Sequence, residues 1–291
     1  MTIGGVELSA HRVAGHETFY IPDFVTASDD ALRPLVATRR RRVPYPKGQA
    51  SQVLSKVTKT TSFAHASRRS FDKITEVPQQ KWKQLTNRRL QLWGGEITSK
   101  NVLFTQDMPY FVEVYPDIIP RLKRIGAFAS SPHGAPNHVI LNEPHEDGPA
   151  YYPIVATLSL GSHSVFHYHR YKTEGAHELT RTAIGNGRIV DPAPALTVLL
   201  ERRSLIISRG PMYTSHLHGI RGITEDRISR DDSSNAPILT DMGVEIANWD
   251  MLSGEEVKRV MQEGGVLKRD VRYSLTCRDV ERVASVKSFT R

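Results

Sequence analysis

Antiparallel β-structure arranged as two sheets is the fold class this sequence predicts, and two observations predict it. Short runs rich in β-branched and aromatic residues recur at His138 to Asn142, Ile154 to Leu160, Ser164 to Tyr168, Leu196 to Leu200, Leu205 to Ser208 and Val271 to Cys277. Turn residues such as Gly148, Gly161 and Gly210 separate several of them, and neither a repeat nor a linker divides the chain. The expected organisation is one mainly β domain over 1–291 with a helical flank on its N-terminal side.

The elements follow in order. Glu17 to Phe24 predicts a short strand turning at Pro22. A helix is expected next, capped by Thr26 or Ser28, carrying Asp29 and Asp30 in its first turn and ended by Pro34. From Arg39 to Thr75 the chain shows neither a helical nor an alternating apolar pattern, so a disordered basic insertion is expected there. Organised sequence resumes over Trp82 to Gly95, and Pro116 marks a helix start because proline at the first helical position forfeits no hydrogen bond. Tyr171 to Ala195 and Thr224 to Arg269 interrupt the strands and are expected outside the sheets. The second contains a helix with Ser253 and Glu256 at capping-box spacing and Gly264 as its stop.

Composition narrows the function classes. The 291 residues, 39% of them apolar with three Trp and ten Tyr, suffice for a real core. Cys277 is the only cysteine, which excludes an intramolecular disulfide or an all-cysteine zinc site and suits a reducing compartment, cytoplasm or nucleus. Met1 to Val13 lacks a signal-peptide pattern and no apolar run approaches bilayer length, so no membrane role is expected. The formal charge of +8 invites nucleic acid as a partner. Arg39 to Thr75 alone carries ten basic residues against Asp72, a local +9 that leaves −1 for the remainder. The basicity belongs to one segment, either a nucleic-acid-binding or localisation tract or a solvated loop.

Chemistry concentrates in two places. In Pro144-His-Glu-Asp-Gly-Pro149, His145 and Asp147 are separated by one residue, so on an extended segment both point to the same side and can meet one ion. His218, in Leu217-His-Gly-Ile220 and 71 residues beyond Asp147, offers a third ligand. Two imidazoles and a carboxylate leave open positions, as non-haem Fe(II) oxygenases require. An H-x-D alone is a common chance pair. The second place, Arg272-Tyr-Ser-Leu-Thr-Cys-Arg278, changes its weight, because alternation puts Arg272, Ser274, Thr276 and Arg278 on one strand face. Two inward guanidiniums need an anion, and a dicarboxylic cosubstrate supplies one: an arginine fork binds its distal carboxylate while the ion chelates the other end.

These phrases resemble the AlkB-like Fe(II)/2-oxoglutarate dioxygenases, and most closely the branch called alkylated DNA repair homologue six. The resemblance extends over Tyr20 to Phe24, Trp82 to Gly95, Asn137 to Asn142, His145 to Pro149 with Tyr151 to Pro153, Thr157 to His163, Arg209 to Pro211 with Tyr213, Leu217 to Ile220 and Arg272 to Arg278. It implies a double-stranded β-helix, or jelly roll. It also implies His145, Asp147 and His218 as iron ligands, Arg272 and Ser274 as the grip on the distal carboxylate of 2-oxoglutarate, and Asn142 and Arg278 bordering the same pocket. The implied reaction converts 2-oxoglutarate and O₂ to succinate and CO₂ while hydroxylating a carbon, often an N-methyl carbon that leaves as formaldehyde. Trp82, Arg88, Arg89 and Trp93 fall where the family's substrate-facing lid lies. Core packing is the preferred reading for the two tryptophans, as it is for Phe166, Tyr168 and Tyr171.

One departure bears on activity. Relatives carry a Tyr two residues after the pocket Asn and a Pro-Gly-containing loop before H-x-D, whereas only Glu143 and Pro144 separate Asn142 from His145 here. Strand spacing keeps that pair within about 10 Å along the chain. Two readings compete: an active dioxygenase on nucleic acid or a related substrate, and an impaired relative serving as a nucleic-acid or protein binding module. A zinc hydrolase is a distant third, since it leaves the paired arginines without a role.

Overall fold

In the computed structural model, residues 7–27, 83–85, 88–114, 116–142, 151–172, 190–230 and 235–284 are described. After a 3₁₀ turn at Leu8–His11 come β1 (Thr18–Ile21), β2 (Lys83–Leu85), β3 (Arg88–Trp93), β4 (Gly95–Ile97) and β5 (Val102–Thr105), then the short helices α1 (Tyr110–Glu113) and α2 (Ile118–Arg124). The central strands are β6 (His138–Asn142), β7 (Ile154–Gly161), β8 (Ser164–Tyr171), β9 (Val190–Leu200) and β10 (Leu205–Arg209), followed by α3 (Pro211–Thr214) and β11 (His216–Ile220). The chain closes through β12 (Glu225–Ser229), β13 (Ile238–Leu239), β14 (Val244–Glu245), α4 (Glu255–Glu263), β15 (Gly265–Lys268), β16 (Arg272–Arg278) and β17 (Arg282–Ala284). Every strand run singled out in the central sequence forms a strand, most of them extended by one to six residues.

The principal sheet has the order β1-β10-β7-β16-β6-β3-β2 and is antiparallel throughout. A second sheet, β11-β8-β9, supplies the opposing wall. Alternation decides which residues line the space between them. Ile154, Ala156, Leu158 and Leu160 of β7 and Leu275 and Cys277 of β16 join a core on the outer face of the large sheet, where Ile118 and Leu122 of α2 cover them. Tyr20 of β1 and Ile206 of β10 point the other way, into a core shared with Val165 and Tyr168 of β8 and Leu196 and Val198 of β9. Two sheets wound in this order make a double-stranded β-helix.

Local structure differs from expectation at several points. The helix near Pro116 begins at Ile118, with Asp117 in the left-handed region (φ 53°) as its N-cap. Its carboxylate is committed to Arg121 (2.8 Å) and Arg124 (2.8 Å), so it does not cap the helix by side chain. Among the described residues the N-terminal flank is mostly strand, and its helical part is α1 and α2. The helix expected from Ser28 and the insertion 39–75 lie outside the described residues. Thr224 to Arg269 builds a sheet of its own, β14-β13-β12-β15, and Ile228, Leu239, Val260 and Leu267 from this unit pack into the core of the small sheet. The capping box at Ser253 does not form. Buried Glu201 accepts from the Gly254 and Ser253 amides (2.7 and 2.9 Å), while the Ser253 hydroxyl donates to Asp23 (2.7 Å). Gly264 does end α4, at φ 79°.

Candidate functional site

The site grows from β16. Its cross-strand partners are fixed on both sides: Ser274 lies opposite Ser159 of β7 and Asn142 of β6, and Arg278 lies opposite Val155 and His138. Because Tyr273, Leu275 and Cys277 turn outward to the core, Arg272, Ser274, Thr276 and Arg278 face inward. There they line a narrow cleft with Thr157 of β7, Phe166 of β8 and His218, Gly219 and Ile220 of β11. The predicted arginine face and His218 thus come together from opposite sheets.

His218 pairs with Tyr168 across β11 and β8, and the Phe166 ring stacks on its imidazole at 5.0 Å between centroids. This contact limits how the ring can turn. Tyr168 meets the same imidazole edge-on at 6.4 Å and is fully buried, with its hydroxyl 2.5 Å from Ser208 and its pKa pushed up to about 12 by burial. Phe166 and Tyr168 therefore pack within the sheets, as does Trp93, which is 8% exposed in the outer core.

Arg272 is one of the two guanidiniums that line the cleft. Its guanidinium donates to Ser159 Oγ at 2.8 Å, while its Nε is buried with no acceptor among the described residues. Burial and the nearby Arg269 charge lower its pKa to about 10, which still leaves it protonated at neutral pH. Arg269 is itself neutralised by a bidentate pair with buried Asp226 (2.7 and 2.7 Å). Burial alone would raise the Asp226 carboxyl, but hydrogen bonds from His163 and Arg269 outweigh it and hold the group below the usual carboxylate range. A protonated arginine with an enclosed, unsatisfied N–H beside a serine hydroxyl is a donor set suited to a carboxylate.

The remaining predicted residues divide. Asn142 is placed by backbone register beside Ser274. Its side chain, together with His145, Asp147 and Trp82 and the side chains of Arg88 and Arg89, lies outside the described residues. Among the described residues no group of three or more His, Cys, Asp or Glu side chains could hold a metal ion. Sequence reasoning passed over Ser159, which anchors Arg272, and the pair His138 and Tyr151 beside Arg278, where the Tyr151 ring lies 4.9 Å from the guanidinium. Cross-strand register reveals Ser159 and His138, and only the contact with Arg278 reveals Tyr151.

Two opposed β-sheets holding a histidine on one wall and inward arginines on the other define a double-stranded β-helix protein equipped to bind an anion. No family model matches the chain. It is 32% identical over 227 residues to a Danio rerio protein described as "Probable RNA/DNA demethylase ALKBH6", an alignment covering 75% of this chain and 82% of the relative. The solved structure of OsALKBH1 aligns with 92% of this chain and all of its own at 13% identity and a TM-score of 0.42. The chain belongs to the AlkB-like family.

Proposed function

We propose that this protein is an Fe(II)- and 2-oxoglutarate-dependent dioxygenase that removes alkyl groups from nucleic acid. The observation that carries the reading is the cleft in which half-buried Arg272 and buried Ser274 and Arg278 face His218. The relative described as an RNA/DNA demethylase supplies the substrate class. The fit of the cosubstrate rests on Arg272, whose enclosed N–H lacks an acceptor that a distal carboxylate would provide.

In this reading His218, His145 and Asp147 would hold iron(II), and Arg272 and Ser274 the distal carboxylate of 2-oxoglutarate. Bound there, the metal and cosubstrate supply oxidative decarboxylation to succinate and CO₂ coupled to hydroxylation of an N-alkyl carbon, which leaves as an aldehyde. The protein orients and encloses. Phe166 fixes the plane of His218, Ser159 fixes the fork of Arg272, and Arg278 borders the cleft at the far end of β16. Cytoplasm or nucleus is the proposed setting, supported by a lone buried Cys277 whose thiol pKa burial pushes up to about 12.

The short connection from Asn142 to His145 favours the second reading, a relative that keeps the fold and binds without turnover. Succinate formation with added Fe(II) separates them. Turnover abolished by His145→Ala and by His218→Ala supports the enzyme; 2-oxoglutarate binding without turnover, restored to turnover by lengthening the connection after Asn142, supports the binding module.

A further inference from the structure

Beside the cosubstrate cleft lies a second cavity, about 230 Å³, lined by Leu92, Glu96, Ile97, His138 and Tyr151. Arg278 stands at the boundary. It lines the cleft, its guanidinium lies 4.9 Å from the Tyr151 ring, and its cross-strand neighbour on β6 is His138. His138 and Tyr151 meet each other as well: the Tyr151 hydroxyl is 3.4 Å from His138 Nδ1, with ring centroids 5.8 Å apart.

We propose that His138 and Tyr151 form a positioning pair that holds the Arg278 guanidinium at the boundary between the cosubstrate cleft and the adjoining cavity. Its chemistry is consistent at each link. His138 is 1% exposed, and burial, then the Arg278 charge, lower its pKa to about 4 against an opposing hydrogen bond with the Gly95 backbone. The ring is neutral at pH 7, so its nitrogen can accept a hydrogen bond and does not repel Arg278. Tyr151 is pushed up to about 12 by burial and so keeps its proton to donate. With its hydroxyl held, the ring presents its face to the guanidinium, the geometry of a cation–π contact. Apolar residues could fill the same volume without burying two polar groups next to a cation, so packing alone does not account for the pair. The consequence is that a group entering the second cavity touches the side chains that set Arg278.

The dioxygenase reading matters here only for the identity of the ligand in the cleft, and the test keeps the two apart. The Arg278 Nε–H signal, assigned by ¹⁵N NMR with Arg278→Lys, reports ring-current shielding from Tyr151 without requiring turnover. Tyr151→Leu should move it out of the shielded range, and Tyr151→Phe and His138→Ala should each broaden or shift it. Binding of 2-oxoglutarate, measured with Mn(II) replacing iron, should weaken about fivefold in Tyr151→Phe or His138→Ala, the worth of one hydrogen bond or cation–π contact. The double variant should lose no more than either single one, and His138→Gln, which keeps an acceptor, should recover. An Arg278 signal indifferent to Tyr151→Leu, or losses that multiply in the double variant, overturns the proposal. Failure of the unmodified protein to bind 2-oxoglutarate while the Arg278 signal still responds to Tyr151 tells against the dioxygenase reading and leaves the positioning pair standing.

Discussion

Arg272 is one of the two guanidiniums in the cleft, and it has an enclosed N–H that no described residue accepts from. Its fork is anchored to Ser159 and its charge persists despite burial. Arg272→Ala should weaken 2-oxoglutarate binding about 30- to 100-fold, as expected for a charge-assisted bidentate contact, and Arg272→Lys should recover little because an ammonium cannot reproduce the fork. Calorimetric titration measures both. A second consequence concerns protons. His138 and His167 are buried in the fold and their pKa values are lowered to about 4, by burial first in each case. Below pH 6.5 the unfolded chain takes up protons at these two positions that the folded chain refuses, so their contribution lowers stability as pH drops from 6.5 toward 4, and below that window the depressed Asp226 carboxyl continues the decline. Thermal melts across that range should show the decline, roughly a few kcal/mol in total, and His167→Gln should flatten part of it.

At the scale of elements, the helix α4 is capped from a distance. Glu201 accepts from two amides at its start and from the Tyr20 hydroxyl at 2.8 Å. Glu201→Ala strands the buried Tyr20 hydroxyl and two part-buried amides, so chemical denaturation should show a loss of about 2–4 kcal/mol, well beyond an exposed cap. The hairpin of β4 and β5 has an equally sharp requirement. Gly95 has φ 135°, and a Cβ there would sit 1.9 Å from the Phe104 carbonyl oxygen. Gly95→Ala should therefore cost about 3 kcal/mol or more and disturb the cavity wall formed by Glu96 and Ile97. The capping carboxylate was illegible in the sequence because it lies 53 residues before Gly254. The capping-box spacing at Ser253 pointed to the right helix for the wrong local reason. The face of β16, in contrast, was fully legible, since alternation alone sorts Arg272, Ser274, Thr276 and Arg278 from Tyr273, Leu275 and Cys277. Ser159 and His138 were not: His138 stands opposite Arg278, and Ser159 stands opposite Ser274, diagonal to Arg272, and one strand's pattern does not encode that register.

For the whole molecule, charge and architecture are separable. The segment from Arg39 to Thr75 holds a local +9 while the remainder of the chain carries −1. Deleting 39–75 should lower non-specific affinity for single-stranded nucleic acid at least about tenfold at low salt and flatten its salt dependence, because fewer counterions are released. Binding of 2-oxoglutarate should stay unchanged, as the cleft is built from β7, β8, β11 and β16. Equal nucleic-acid affinity with and without the segment would assign it no electrostatic role. The double-sheet class was legible from the strand runs. The partnership of Thr224 to Arg269 with the small sheet was not, because its strands are as short as two residues and gain their meaning from the surface they cover.

The position of β16 bears on how the protein comes into being. It lies between β7 and β6 at the middle of the principal sheet, yet it follows every other strand of that sheet in sequence. A chain emerging from the ribosome exposes the edges of β6 and β7 until residues beyond 270 have been made. The central zipper must then thread into place over contacts more than a hundred residues apart. The strand that carries the site's arginines is thus also the keystone of assembly, so the sheet and its binding face are completed in a single late event.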